Sequence, residues 1–307
     1  MSIAALVLPV FGIIATGWLA GVLGYLPRSL AGPLVQFAYS VAMPALVFLT
    51  IARLPISALL DWSFLAAFGG SSLIAFVATG ILARAFWEKS AAEAVIIGSL
   101  TSMTNTGFVA LPILQALYGD RGVIFASIAT AFTGIVMFPC VIILLEFSAE
   151  TQTGTSRKTM MIKQVMLNPL VFSTVAGLLW SVSGASLPKP VTVYINTFGE
   201  TLMPCALFSI GLGLSLGKRY HDLKASLLIA TTKLLITPCI ALALCTAMGL
   251  DSFLSIATVV CAAVPTAKTA YVLAGVYQVQ DELAGSIVSM TTLVSIPTLL
   301  GWLYFLE

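Results

Sequence analysis

Two apolar stretches of this chain are interrupted by residues that a continuous helix would not select. One reads Ser102-Met103-Thr104-Asn105-Thr106-Gly107-Phe108-Val109-Ala110-Leu111-Pro112, the other Cys261-Ala262-Ala263-Val264-Pro265-Thr266-Ala267-Lys268-Thr269. Proline removes a backbone donor and clashes with the preceding turn. Glycine inside a helix costs about 1 kcal/mol relative to alanine. A helix that opens at such a place exposes amides and carbonyls, and the N-terminus of the resuming half favours an anion. Asn105, Thr106 and Gly107 would line the first opening and Pro265 and Thr266 the second, with Pro112 and Pro265 as the breaking residues. The plainer alternative is two proline kinks packed against neighbouring helices. Their match favours function: Asn105 and Pro265 stand at equivalent places, 160 positions apart. Interrupted spans at corresponding places in two halves of a membrane protein point to a binding site near mid-membrane.

Charge near the interruptions narrows the chemistry. Lys268 follows the second one closely, and Lys233 lies near the middle of another apolar stretch. A lysine at the bilayer centre costs on the order of 3 kcal/mol and normally faces a cavity. Lys268 could hold a carboxylate, change protonation, or stand in place of a bound cation. The plainer alternative is that it snorkels, or hydrogen-bonds to unwound carbonyls as a strut. For Lys233, function and structural pairing are both open. Asp and Glu are confined to loops and the ends of predicted helices, Glu200 alone falling within a predicted span. The lack of a carboxylate at either interruption argues against cation antiport. No Ser-His-Asp set, metal cluster or phosphate loop occurs, so the chain reads as a non-enzyme without cofactor or metal. His221 sits in a basic loop beside Lys218, Arg219 and Tyr220 and reads as solvated. Cys140, Cys205, Cys239, Cys245 and Cys261 lie in or beside apolar segments and read as packing residues. A net charge of +2 is too small to imply nucleic acid.

The elements that would position these residues are helices in a bilayer. Hydrophobic residues make up 59% of the chain and charged residues 8%, against about 25% charged in soluble domains. The apolar runs are long and do not alternate, which excludes an outer-membrane barrel. Lipid leaves no partner for open backbone groups, so the spans must be helical. Ten spans are predicted, over roughly 3–24, 30–52, 63–86, 94–117, 122–146, 165–183, 190–216, 223–247, 253–276 and 282–305. The first segment lacks a charged start and a cleavage site, so it reads as a span rather than a signal peptide.

Residues 1–146 and 165–307 echo each other at the same offset of 160. Pro9 answers Pro169, Gly17 answers Gly177, Gly24 answers Gly184, Met43-Pro44 answers Met203-Pro204, and Phe48 answers Phe208. Five spans per half require the second half to be inverted. The expected fold is therefore all-α and membrane-integral, with ten transmembrane helices in two inverted five-helix repeats and broken fourth and ninth helices. Residues 147–164 form a polar linker. Pro44 and Pro204 could bend the second and seventh spans around the site, or be kinks with only packing consequences. Nine Lys and Arg fall in loops after odd-numbered spans and three (Arg53, Arg121, Lys189) after even-numbered ones. That places the odd-side loops in the cytoplasm and both termini outside.

Asn105-Thr106-Gly107-Phe108, Leu111-Pro112 and Tyr118-Gly119-Asp120 resemble the Asn-x-Gly-Phe, Leu-Pro and Gly-Asp pattern of the auxin efflux carrier family. The Val264-Pro265-Thr266 start of the second interruption, Ser295-Ile296-Pro297, and the two Met-Pro-x-x-x-Phe stretches resemble it as well. The resemblance covers the whole chain. It implies a scaffold of spans one, two, six and seven and a transport unit of spans three to five and eight to ten, in which the broken helices cross. It also implies an elevator-type carrier of carboxylates such as malonate, malate or auxin-like acids, a homodimer in the inner (cell) membrane. The short linker resembles the bacterial branch. Family members often carry asparagine near Lys268, so a lysine there bears on both coupling ion and substrate. Two other readings are a sodium-coupled symporter like bile-acid carriers and a membrane sensor that binds a ligand without moving it.

Overall fold

Prolines and small residues decide where the helices of this chain bend and how closely they approach. The computed structural model describes residues 3–53, 61–148, 169–213 and 222–306. Most of the predicted linker, with Arg157, Lys158 and Lys163, lies outside the described residues, as do Lys218, Arg219 and His221. The described residues form helices α1 (Ile3–Val22), α2 (Arg28–Ala52), α3 (Trp62–Trp87), α4 (Ala91–Ser102), α5 (Thr106–Tyr118), α6 (Asp120–Ser148) and α7 (Pro169–Ser183). Then follow α8 (Lys189–Glu200), α9 (Leu202–Gly213), α10 (Leu223–Ala247), α11 (Ser252–Ala263), α12 (Lys268–Tyr277) and α13 (Asp281–Leu306). Five of them, α2, α3, α6, α10 and α13, are long and apolar enough to cross a bilayer singly. The predicted fourth span divides into α4 and α5, the ninth into α11 and α12, and the seventh into α8 and α9.

A shared device produces the bends. Each π-helical turn among the described residues, at Ala38–Ala42, Thr106–Ala110, Thr133–Met137 and Thr232–Ile236, ends two residues before a proline: Pro44, Pro112, Pro139 and Pro238. Proline cannot donate to the carbonyl four residues back and its ring crowds that carbonyl. One wider turn relieves both problems without ending the helix. Pro44 thus follows a π-turn within α2, which runs on to Ala52. Pro112 also sits behind a π-turn, in α5, so it is not where the fourth span opens. Pro204 follows a different interruption, the turn at Thr201 whose N–H bonds back to the Phe198 carbonyl.

Helix ends account for the acids. Asp222 and Asp251 cap α10 and α11, accepting the N–H of Ala225 at 3.1 Å and of Leu254 at 2.7 Å. Ser90 and Glu93 form a capping box at α4, satisfying otherwise orphan amides reciprocally. Glu200, the acid expected inside a span, ends α8 and is exposed, where it accepts a hydrogen bond from Asn196 at 2.6 Å.

The chain forms two compact units. The first comprises Met1–Asp61, Gly107–Ala131 and Ile162–Leu216, the second Trp62–Thr106, Phe132–Met161 and Gly217–Glu307. In the first, α1 packs along α9 and α7 along the second half of α2. These contacts need glycine. A Cβ on Gly17 would collide with the Phe208 carbonyl, and one on Gly177 would meet the Phe48 carbonyl at 3.2 Å and Ile51 at 3.0 Å. The partners in both contacts are residues that the 160-position echo pairs. In the second unit, Ile96, Ile97, Leu100 and Met103 pack with Met137, Val141, Leu273 and Ile287 in a continuous buried core around α4.

Candidate functional site

Within the second unit the two interrupted spans meet and hydrogen-bond as extended backbone. The Asn105 N–H donates to the Pro265 carbonyl at 2.8 Å, and the Ala267 N–H donates to the Met103 carbonyl at 2.9 Å. Thr104 and Thr266 face each other between these bonds as an isolated antiparallel pair, the narrow, non-hydrogen-bonded kind. The fourth span therefore opens at 103–105, several residues before Pro112, because the β-type pairing draws the backbone out of the helix there. The ninth opens at 264–267, around Pro265, which cannot continue α11.

Side chains of two further helices, α10 and α13, hold the crossing. Thr266 donates its hydroxyl to the Leu100 carbonyl at 2.7 Å, and its N–H donates to the Thr291 hydroxyl on α13 at 3.2 Å. Thr237, on α10, donates to the Thr101 carbonyl at 3.3 Å. Lys233, also on α10, is fully buried and its Nζ donates to the Ala262 carbonyl, in the last turn of α11. Helix C-termini leave carbonyls without intrahelical donors and carry negative partial charge, and Lys233 meets both needs. Of the two in-span lysines, Lys233 is thus the strut. Lys268 behaves differently. It is the first residue of α12, it is exposed, and its ammonium makes no hydrogen bond or ion pair among the described residues. The sequence left function and structural pairing both open for Lys233, and the structure gives its ammonium a carbonyl partner. The sequence cue was available: a lysine deep in an apolar helix with no membrane acid must find a carbonyl, and only a helix end offers one.

The other expected residues divide. Asn105 is half-buried, and its side-chain amide has no hydrogen-bond partner among the described residues. Thr104 is buried with its hydroxyl unpartnered. Thr106 begins α5, its N–H returning to the Thr104 carbonyl at 2.9 Å. Gly107 and Pro112 fall in the first unit. There Gly107 is packed so closely that a Cβ would lie 2.9 Å from the Met43 methyl, and Phe108 stacks on Tyr39 with centroids 6.1 Å apart. Gly107 is therefore a packing glycine beside the Met43-Pro44 bend. Pro204 is exposed in the first unit.

The start of α12 has a distinct electrostatic character. No side chain caps it; Ala267 occupies the cap position in extended conformation. Uncapped amides, the positive end of the helix dipole and the Lys268 charge coincide there. Such a terminus suits a carboxylate or phosphate.

Comparison with known proteins decides the family. A family described as membrane transport protein matches residues 2–303. The chain belongs to this family, the auxin efflux carriers. A Rhizobium meliloti protein named "Putative malonate transporter" is 26% identical over 309 residues, covering 100% of this chain and 96% of the relative. An Arabidopsis thaliana protein named auxin efflux carrier component 8 is 21% identical, covering 72% of this chain and 75% of the relative. A mouse protein named lysosomal cholesterol signaling protein is 27% identical over 78% of this chain, but only 29% of that protein is aligned. This auxin efflux carrier family member is a multi-pass membrane transport protein rather than an enzyme.

Proposed function

We propose that this protein is a secondary carrier of small organic anions, carboxylates such as malonate, malate or auxin-like acids, working by alternating access at the crossing. One observation carries the proposal: α12 starts uncapped at the crossing with Lys268 as its first residue, three residues after the carbonyl that holds Asn105. The α12 amides and Lys268 would bind a carboxylate, the free amide of Asn105 would add two donors, and Thr106 would contribute backbone. Pro265 and Thr266 hold the crossing in shape. The name of the Rhizobium meliloti relative agrees with a dicarboxylate.

The reciprocal contacts of Gly17 with Phe208 and Gly177 with Phe48 support two inverted five-helix repeats. So do the paired left-handed glycines Gly24 and Gly184, at φ +71° and +64°. The collection of α1, α2 and α7–α9 into one unit supports a scaffold distinct from a moving transport unit. The first unit also holds α5 from Gly107 onward and the start of α6, which the family pattern assigns to the mover. A homodimer in the cell membrane with both termini outside completes the proposal. A cysteine added at the C-terminus is then expected to react with an impermeant reagent from outside; labelling from the cytoplasmic side alone would overturn the topology.

A sodium-coupled symporter fits less well. The carbonyls of Leu100, Thr101, Met103, Ala262 and Pro265 each already accept a protein donor, which leaves one lone pair apiece for a sodium ion, and the Lys268 charge near the crossing opposes a second cation. Uptake of labelled malonate into proteoliposomes, with sodium replaced by choline, separates the readings. Uptake undiminished by choline is expected, and binding without uptake would favour a sensor. Lys268→Ala should weaken carboxylate binding about tenfold, the loss of one charge-assisted contact worth roughly 1.5 kcal/mol, and Asn105→Ala somewhat less. Both should fold normally, since neither side chain has a partner to lose. Unchanged affinity in both variants would remove the crossing as the substrate site.

A further inference from the structure

The second unit contains a cavity of about 460 Å³ whose lining excludes every residue of the crossing. That size falls within the roughly 300–1,000 Å³ of small-ligand pockets. Its floor includes Ile97 and Leu283, both buried. Its rim holds Trp87 and Lys89, at and just after the end of α3, and Asp222 and Lys224, at the start of α10, on the side that the lysine and arginine count assigns to the cytoplasm. We propose that this cavity binds the headgroup of a membrane phospholipid, with its phosphate held by Lys89 and Lys224 and a headgroup ammonium such as that of ethanolamine facing Asp222.

Both cations have capacity to spare. Lys224 is exposed and forms no ion pair among the described residues. Lys89 reaches Glu93 at 3.4 Å, long for a charge-assisted bond, and an ammonium has three donors. The acids balance them. Asp222 gives one carboxylate oxygen to the Ala225 N–H and keeps the other. Burial pushes the Glu93 carboxyl up, but hydrogen bonds from Ser90 and Gln280 and the Lys89 charge hold it down at about 2, so it remains ionised. Glu93 lies outside the cavity lining but pairs with Lys89; counted with Asp222 it sets two carboxylates against the two lysines, which suits a zwitterionic headgroup better than a purely anionic one.

The surroundings point to a lipid rather than a free phosphoester. Leu228 lines the cavity and is 51% exposed; Leu227 beside it is 51% exposed and Phe86 75%. The cavity therefore opens onto an apolar surface where acyl chains would lie. Trp87 stands where interfacial aromatics sit, and basic pockets at the ends of transmembrane helices hold phospholipid headgroups.

The test uses delipidated full-length protein in detergent. Retention by native mass spectrometry and thermal midpoint are measured with phosphatidylethanolamine, phosphatidylglycerol, phosphatidylcholine and soluble glycerophosphoethanolamine. Phosphatidylethanolamine should bind best, and the soluble headgroup should leave the midpoint unmoved. Each lysine removed should weaken retention about fivefold, so Lys89→Ala with Lys224→Ala should lose most of it. Asp222→Asn, which can still cap α10, should lose the preference over phosphatidylglycerol. Equal retention by wild type and the double-lysine variant overturns the site. A preference for phosphatidylglycerol overturns the zwitterion, and a full midpoint shift from glycerophosphoethanolamine overturns the lipid.

Discussion

Lys233→Met should lower the apparent thermal midpoint by roughly 3–10 °C and reduce transport with it. The variant keeps the length of the side chain but leaves the Ala262 carbonyl buried without its donor. An unsatisfied buried polar group costs about 1–3 kcal/mol, and 1 kcal/mol moves the midpoint of a domain this size by roughly 2–4 °C. The opposite sign has a physical route, because replacing a buried charge by an apolar isostere can stabilise. Here the partner is a backbone carbonyl in the last turn of α11 that remains after substitution, so the penalty should dominate. Lys233→Arg should not rescue, since the site is fully enclosed and the guanidinium is larger. A midpoint equal to or above wild type for Lys233→Met would show that the amine is no strut. The contrast with Lys268→Ala, expected to alter binding and not stability, is what distinguishes the two lysines.

Gly211→Ala should be at least as damaging, for a steric reason. A Cβ at Gly211 would collide with the Ile14 carbonyl and crowd the Trp18 amide. Both are backbone atoms of α1, which cannot rotate aside as a side chain can. Helices α1 and α9 would have to separate, losing close packing along their length. Overpacking costs typically 1–3 kcal/mol, and a rigid obstacle belongs at the upper end. Gly12→Ala, on the partner helix α1, is the control, with nothing within 4 Å of its Cβ. It should be neutral or stabilising by up to about 1 kcal/mol through helix propensity. Midpoints of the two variants measured side by side decide the matter. Equal values would mean that α1 and α9 do not approach through Gly211.

How much of this was legible beforehand can be traced through particular residues. Helical class and approximate span limits follow from composition, because a backbone in hydrocarbon has one local way to satisfy its own amides. The opening at Pro265 was readable for a similar reason, since proline cannot continue a helix; Gly107, the cue for the first opening, lies within α5, just after it. The family follows from the same short motifs, and the match over residues 2–303 agrees with it.

Three things were settled only by tertiary structure. Pro112 looked like the breaking residue, yet the π-turn before it keeps the helix running and the fourth span opens at 103–105, where Asn105 can reach the Pro265 carbonyl. Gly107 looked like exposed backbone at a site and is occupied by Met43. Lys233 was open between function and pairing, and the structure buries it against the Ala262 carbonyl while Lys268 stands exposed. The common reason is range. Helix propensity, apolar length and proline chemistry act within a few residues and are written in local sequence. Which carbonyl a lysine finds, or which methyl fills the space beside a glycine, depends on residues far along the chain, here 29 positions away for Lys233 and Ala262. Only packing brings those together.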